Sequence, residues 1–174
     1  DYEFHNDNST PMDLTAHVIE ITEHTAMSAD VASLDGYECL LDSGAQRLML
    51  HRRDFLTEIE GHATCRVLLA NDTQETRKLA YGPASIPTTV GPIQFATGLY
   101  CPGWKRTLIP RVRAMNLGFR VETQPSQPSP SAPAISATLV TPAGLRVPMR
   151  LSNDLEEIAV QPPPGTATST TASA

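Results

Sequence analysis

The sequence predicts a mainly β domain with one or two short helices, and three observations predict it. Apolar residues gather in short runs separated by turn signals, rather than in long stretches of helical period. The 174 residues carry 15 Pro and 10 Gly but only 5% aromatics, which suits a loop-rich chain. Hydrophobic residues make up 40%, enough for one domain with its own core. A small barrel or sandwich is the natural architecture for such strands.

Residues 1–34 are acidic, low in large apolar groups and poorly periodic, and read as an extended arm or linker. Within them Thr15 to Thr22 (TAHVIEIT) forms either a short strand or a helical turn; periodicity does not decide which. The domain proper is expected over residues 35–160. Tyr37 to Leu41 is a candidate strand running into Ser43-Gly44, and Cys65 to Ala70 is a stronger one, ended by the turn pair Asn71-Asp72. Leu79 to Thr89 contains Gly82-Pro83 and Pro87, as expected of a hairpin with a mobile tip and an exposed edge. Ile93 to Tyr100 is a strand closed by Pro102-Gly103. Ile135 to Val140 and Leu145 to Leu151 flank Pro142-Ala143-Gly144, a plausible hairpin.

Two segments read as helices. His51 to Ile59 sets Phe55, Leu56 and Ile59 on one side, with Gly61 as a stop. Pro110 to Leu117 starts with Pro where a missing N–H costs little, and Gly118 follows as a C-terminal cap. The Pro/Ser-rich residues 124–133 read as an inserted surface loop. Residues 161–174, nearly all Pro, Thr, Ser and Ala, hold little worth burying and are expected to be disordered.

Charge and cysteine usage exclude several function classes. The net charge is −6, and no Lys or Arg precedes Arg47. Lys105, Arg106, Arg111 and Arg113 form the densest basic group. Without interleaved aromatics it reads as a solvated helix face, so nucleic-acid binding is not expected. Cys39, Cys65 and Cys101 form no CxxC pair, which argues against both a disulfide framework and a zinc site. His62, near Cys65, reads as a loop residue and Cys65 as a small strand residue. No apolar run is long enough to span a bilayer, so no membrane partner is expected. The amino terminus lacks the basic and apolar regions of a signal peptide, and it lacks an initiator Met, as expected of a fragment.

Asp42 closes an apolar strand within Leu41-Asp42-Ser43-Gly44-Ala45. A carboxylate there is a turn-former, an N-cap or a reactive group, and Asp-Ser-Gly by itself is a common turn. Its context adds to this. CLLDSGAQRLMLHRRDFLTEI, RVLLANDTQ and LYCPGWKRTLIPRVRAMNLGFRVE, in this order and spacing, resemble the protease of copia-type retrotransposons, a branch of the retropepsin-like aspartic proteases. The resemblance covers Tyr37 to Val160, with TPAGLRVPMRLSNDLEEI similar to the family's closing hairpin.

That resemblance implies a retropepsin-like acid-protease barrel with one half-site per chain. Asp42 would be the catalytic residue of an aspartic endopeptidase, within the active-site loop Ser43, Gly44 and Ala45. Ser43 would hydrogen-bond across a twofold axis, and Gly44 would let paired loops approach. Leu79, Ala80, Tyr81, Gly82, Pro83, Ala84, Ser85 and Ile86 would form the flap over an extended peptide, and the Leu108 to Met115 helix would support the loop. Because the chain holds one Asp-Ser-Gly only, the second aspartate would come from another copy in a homodimer. No metal or organic cofactor is implied. The substrate would be the element's own Gag-Pol polyprotein, cleaved in the cytoplasm within virus-like particles. Three features depart from the family pattern: Glu38-Cys39 before the Asp turn, Gln46 after Ala45, and a flap with a single Gly. The alternative they leave is an inactive or co-opted retropepsin-like dimerisation or binding domain.

Overall fold

A computed structural model describes residues 19–22, 36–68, 74–123, 135–152 and 154–163. The rest of the acidic arm, the Asn71-Asp72 turn, the 124–133 insertion and most of the 161–174 tail lie outside the described residues. Among the described residues eleven strands form one sheet: β1 (Ile19–Thr22), β2 (Cys39–Asp42), β3 (Met49–Leu50), β4 (Gly61–Leu68), β5 (Gln74–Thr88), β6 (Gly91–Tyr100), β7 (Thr107–Pro110), β8 (Arg120–Thr123), β9 (Ile135–Val140), β10 (Arg146–Ser152) and β11 (Leu155–Ile158). Among the described residues one α-helix, α1 (Arg111–Asn116), follows β7 directly.

The hydrogen-bonded order is β1-β4-β5-β6-β3-β7-β2-β11-β10-β9-β8. In place of a closed barrel or a two-sheet sandwich, the order is open, with β1 and β8 at its edges. The long β5 and β6 give the sheet room to coil back on itself. A bridge between Thr88 and Val160 then ties the end of β5 to the segment after β11.

The middle of the sheet explains why its strands do not alternate in sequence. Cys39, Leu41, Leu50 and Ile109 belong to one buried cluster, with Phe55, Ile86, Leu139 and Ile158. Leu40, Met49 and Leu108 belong to a second, with Ala63, Cys65, Leu79 and Trp104. Successive residues of β2, β3 and β7 thus enter opposite faces, and both faces are dry. Continuous apolar runs such as Cys39-Leu40-Leu41 are the signature of strands covered on both sides.

α1 ends as expected. Gly118 adopts a left-handed φ of 94°. Its N–H donates to the Met115 carbonyl and that of Phe119 to the Ala114 carbonyl, a Schellman closure. The other expected helix, His51 to Ile59, is not formed; only a 3-10 turn over Arg53–Phe55 appears. Strand pairing takes the donors a longer helix needs: Thr57 N–H goes to the Pro83 carbonyl and Glu60 N–H to the Tyr81 carbonyl. Leu56 bridges Ala84 in the same way. The hairpin at Pro142-Ala143-Gly144 joins β9 to β10 as expected, with Gly144 at φ 86°. Ile19–Thr22 takes the strand alternative, pairing in parallel with Cys65–Leu68 on the outer edge of β4.

Candidate functional site

Asp42 is the last residue of β2, a strand held on both sides. β7 pairs with it in parallel, setting Asp42 opposite Pro110, and β11 pairs antiparallel, setting Leu41 opposite Glu156. The chain then turns sharply. The Gly44 N–H donates to Asp42 Oδ1 at 2.8 Å, closing an Asx-type turn. Asp42 is half-buried, Ser43 and Gly44 are exposed, and Ala45 packs against the cluster of Leu40, Cys65 and Leu108. Among the described residues no donor reaches Oδ2 and no cation pairs with the carboxylate. Arg111, the residue after Asp42's register partner, is turned instead to Glu156, at 3.4 Å.

The expected active-site loop is therefore one compact turn, while the residues expected to form the flap stand differently. Leu79 to Ile86 lie inside β5: residues from Leu79 to Ala84 meet β4 or the 56–60 segment on one edge, and residues from Tyr81 to Ile86 pair with β6 on the other. Leu79, Ala80, Gly82, Ala84 and Ile86 are buried; Tyr81, Pro83 and Ser85 are partly so. The hairpin tip that follows is at Thr89-Val90, beyond the expected segment. Gly82 is present for close approach rather than for motion, since a Cβ there would sit 2.2 Å from the Glu58 carbonyl oxygen.

Pro83 shapes the neighbouring strand. It has no N–H, and its carbonyl turns away from β6 to accept the Thr57 N–H at 2.9 Å and the Thr57 hydroxyl at 3.2 Å. The β5–β6 register slips here: Gly82 faces Gly98 and Ala84 faces Phe95, so Pro83 alone stands across from Ala96 and Thr97. That is a β-bulge, and it leaves Ala96 and Thr97 without ladder partners in β5.

The bulge borders a pocket with an internal volume of about 130 Å3. Its walls come from Leu48, Phe95, Leu99, Pro110, Ala114 and Leu117, and it carries two guanidinium groups, Arg47 and Arg113. Burial, followed by the nearby positive charge of Arg113, lowers the Arg47 pKa. Sequence reading placed Arg113 on a solvated face and attached no role to Arg47.

The remaining basic cluster is corrected in part. Arg106 is not on a helix face but buried, donating to Glu157 at 2.8 Å, and Arg150 closes on the other Glu157 oxygen while stacking over Tyr37 at 3.6 Å. His62 is an exposed residue of β4 rather than of a loop. Sequence reading also missed a hydroxyl–imidazole–carboxylate chain. His51 Nδ1 lies 2.8 Å from Thr107 Oγ1, and His51 Nε2 lies 3.1 Å from Glu38 Oε2. Thr107 has 0% exposure, so its hydroxyl cannot reach a substrate, and the trio ties the residue before β2 and the residue after β3 to the start of β7. Burial lowers the His51 pKa, with the Glu38 contact opposing that shift.

The three cysteines are free thiols. Burial pushes Cys39 up strongly and Cys65 to about 11, leaving neither as a ready nucleophile at neutral pH. No group of three or more His, Cys, Asp or Glu among the described residues is set to hold a metal. No helix among them is long and apolar enough to cross a membrane. In comparison with known proteins, the chain matches no family model, no curated protein and no solved structure.

Proposed function

We propose that this chain is one half of a retropepsin-like aspartic endopeptidase, active as a homodimer with Asp42 as its catalytic carboxylate. The observation that carries the reading is the Asp42 turn. A carboxylate ends a strand paired on both sides, one oxygen is fixed by Gly44 N–H, and the other is open. No described cation neutralises it, as an aspartate pair requires, because a guanidinium in contact would hold both members ionised and no proton would be shared.

In the dimer two Asp42 side chains share one proton. The ionised member takes a proton from a water held between them, and the water oxygen attacks the scissile carbonyl. The protonated member polarises that carbonyl, and the amine leaves with a proton from the pair. The resemblance to copia-type proteases makes the substrate an extended segment of the element's own Gag-Pol polyprotein, and virus-like particles the place of cleavage.

The test is cleavage of polyprotein-derived peptides at mildly acidic pH. The wild-type chain should cut, a statine-type inhibitor should block it, and Asp42→Asn should abolish turnover while leaving the fold intact. Unchanged turnover in Asp42→Asn would sink the assignment. One observation favours a second reading, a non-catalytic binding or dimerisation domain. The expected flap residues are locked within β5 by Gly82 against Glu58 and by Pro83 against Thr57. A folded dimer that binds statine peptides but cuts nothing would establish that alternative.

A further inference from the structure

The pocket between β6 and α1 takes no part in the chemistry above, and it opens to solvent: Ala96, Thr97, Arg113 and Leu117 line it and all four are exposed. Leu117 is 56% exposed, so a large apolar side chain stands uncovered at the mouth. Leu48, Phe95 and Ala114 supply the inner wall, and Phe95 is held in place by stacking on Phe119, with ring centroids 5.4 Å apart. Apolar cavities of about 150 Å3 take up benzene, so an internal volume of about 130 Å3 suits a single phenyl ring. Arg47 is partly buried and already engaged within the fold, whereas Arg113 faces solvent and sets positive charge at the rim.

Charge and composition point to an occupant within the chain itself. Residues 1–18 carry Asp1, Glu3, Asp7 and Asp13 and no Lys or Arg, so they complement a basic rim. They also hold Tyr2 and Phe4, the only Phe, Tyr or Trp outside the described residues. Residues 124–134 and 164–174 offer no apolar side chain larger than Pro. Of the two aromatics, a buried Tyr needs a partner for its hydroxyl and Phe does not.

The strand register brings the arm to the right end of the sheet. β1 runs parallel to β4, so the chain enters Ile19 from the Gly61 end of β4. Gly61 pairs with Tyr81, and Tyr81 with Leu99, a pocket residue. From the β1 edge to β6 is three strand spacings, ~14 Å. Phe4 precedes Ile19 by fifteen residues, and an extended chain covers ~3.3 Å per residue, so the ring reaches the pocket with slack.

We propose that the pocket is the docking site of the chain's own amino-terminal arm, with the Phe4 ring inside it and the Glu3 carboxylate on Arg113. The ring enters between Phe95 and Leu117 and covers the exposed leucine. The tether holds the arm at an effective concentration on the order of millimolar, so a contact too weak for a free peptide is populated within one chain. Neither side chain has to meet Asp42, and the contact stands or falls apart from the protease reading.

The test places one nitroxide on the full chain. Cys39, Cys65 and Cys101 are buried, so a cysteine introduced as Asn6→Cys takes the label selectively. A docked arm is the major species, and the amide NMR signals of Thr97 and Leu117 should then lose at least about half their intensity. Adding Phe4→Ser should restore both signals. Arg113→Glu should halve the broadening or better, and Glu3→Arg added to Arg113→Glu should bring it back, because the charges are exchanged. Arg113 is exposed, so its variant should keep the wild-type melting temperature, measured alongside. A mixture of isotope-labelled chain without nitroxide and unlabelled chain with it should show no broadening. Unaffected signals in the nitroxide-labelled chain, broadening that survives Phe4→Ser, or a charge exchange that restores nothing each overturns the proposal. Broadening of equal size in the mixture also overturns it, since the occupant is then the arm of a second copy.

Discussion

Asp42 owes its geometry to the residue two places later, because the Gly44 N–H fixes one carboxylate oxygen and leaves the other open. A Cβ on Gly44 would sit 3.4 Å from Asp42 Oδ1, ordinary contact within the chain, so Gly44→Ala should leave the monomer's melting temperature nearly unchanged. If paired loops meet across a twofold axis, the same variant should weaken the dimer; a drop in turnover at low protein concentration that recovers at high concentration is the readout. His51 sets the acid limit. Burial lowers its folded pKa below the ordinary 6.5, so the unfolded chain binds the proton more readily than the folded one. Stability is therefore full above that value and is lost as pH falls from about 6.5 toward the folded pKa. Urea midpoints across this range should decline with acid in the wild-type chain and decline less in His51→Gln. Equal slopes in both would exclude His51 as the source.

Among the elements, β5 is constrained by the close approach of the 57–60 segment. Gly82→Ala would force the Glu58 carbonyl away from a 2.2 Å approach and break the pairing of 57–60 with 81–83. That should cost on the order of 2–3 kcal/mol, measured by denaturant unfolding. Gly103→Ala is the control: φ is +86° but nothing lies within 4 Å, so only left-handed strain of about 1 kcal/mol is expected. Comparable losses in the two variants would show that the close approach carries no special cost. At the sheet's margin, β1 covers the outer edge of β4 by four paired residues. A chain lacking residues 1–22 exposes that edge, and unpaired strand edges recruit other chains. Light scattering should detect larger species in the shortened chain, and a profile identical to the full chain would deny β1 its covering role.

For the whole molecule, the proposed function makes the Asp42 turn half a site, and sedimentation tests whether two halves meet. Asp42→Asn, which cannot digest itself, should sediment at twice the 18.8 kDa chain mass at high concentration. A strictly monomeric protein could not assemble the aspartate pair. The amino-acid sequence by itself determined the mainly β class, the β9–β10 hairpin, the stop of α1 at Gly118 and the turn that begins at Asp42. Each of these depends on local chemistry: turn residues, a glycine able to adopt positive φ, and apolar runs too short for long helices. It did not determine the fate of His51 to Ile59, because its helical pattern is local whereas the carbonyls of Tyr81 and Pro83 that claim its N–H groups are distant in sequence. For a related reason it did not show the setting of Gly82-Pro83, a turn-forming pair in isolation that in the sheet stands at a bulge, inside a strand paired on both edges. Only the tertiary structure decided that Arg106 is buried against Glu157 while Arg113 borders a pocket with Arg47. Three charges that look alike along the chain acquire different chemistry because strand order, not sequence distance, sets their neighbours.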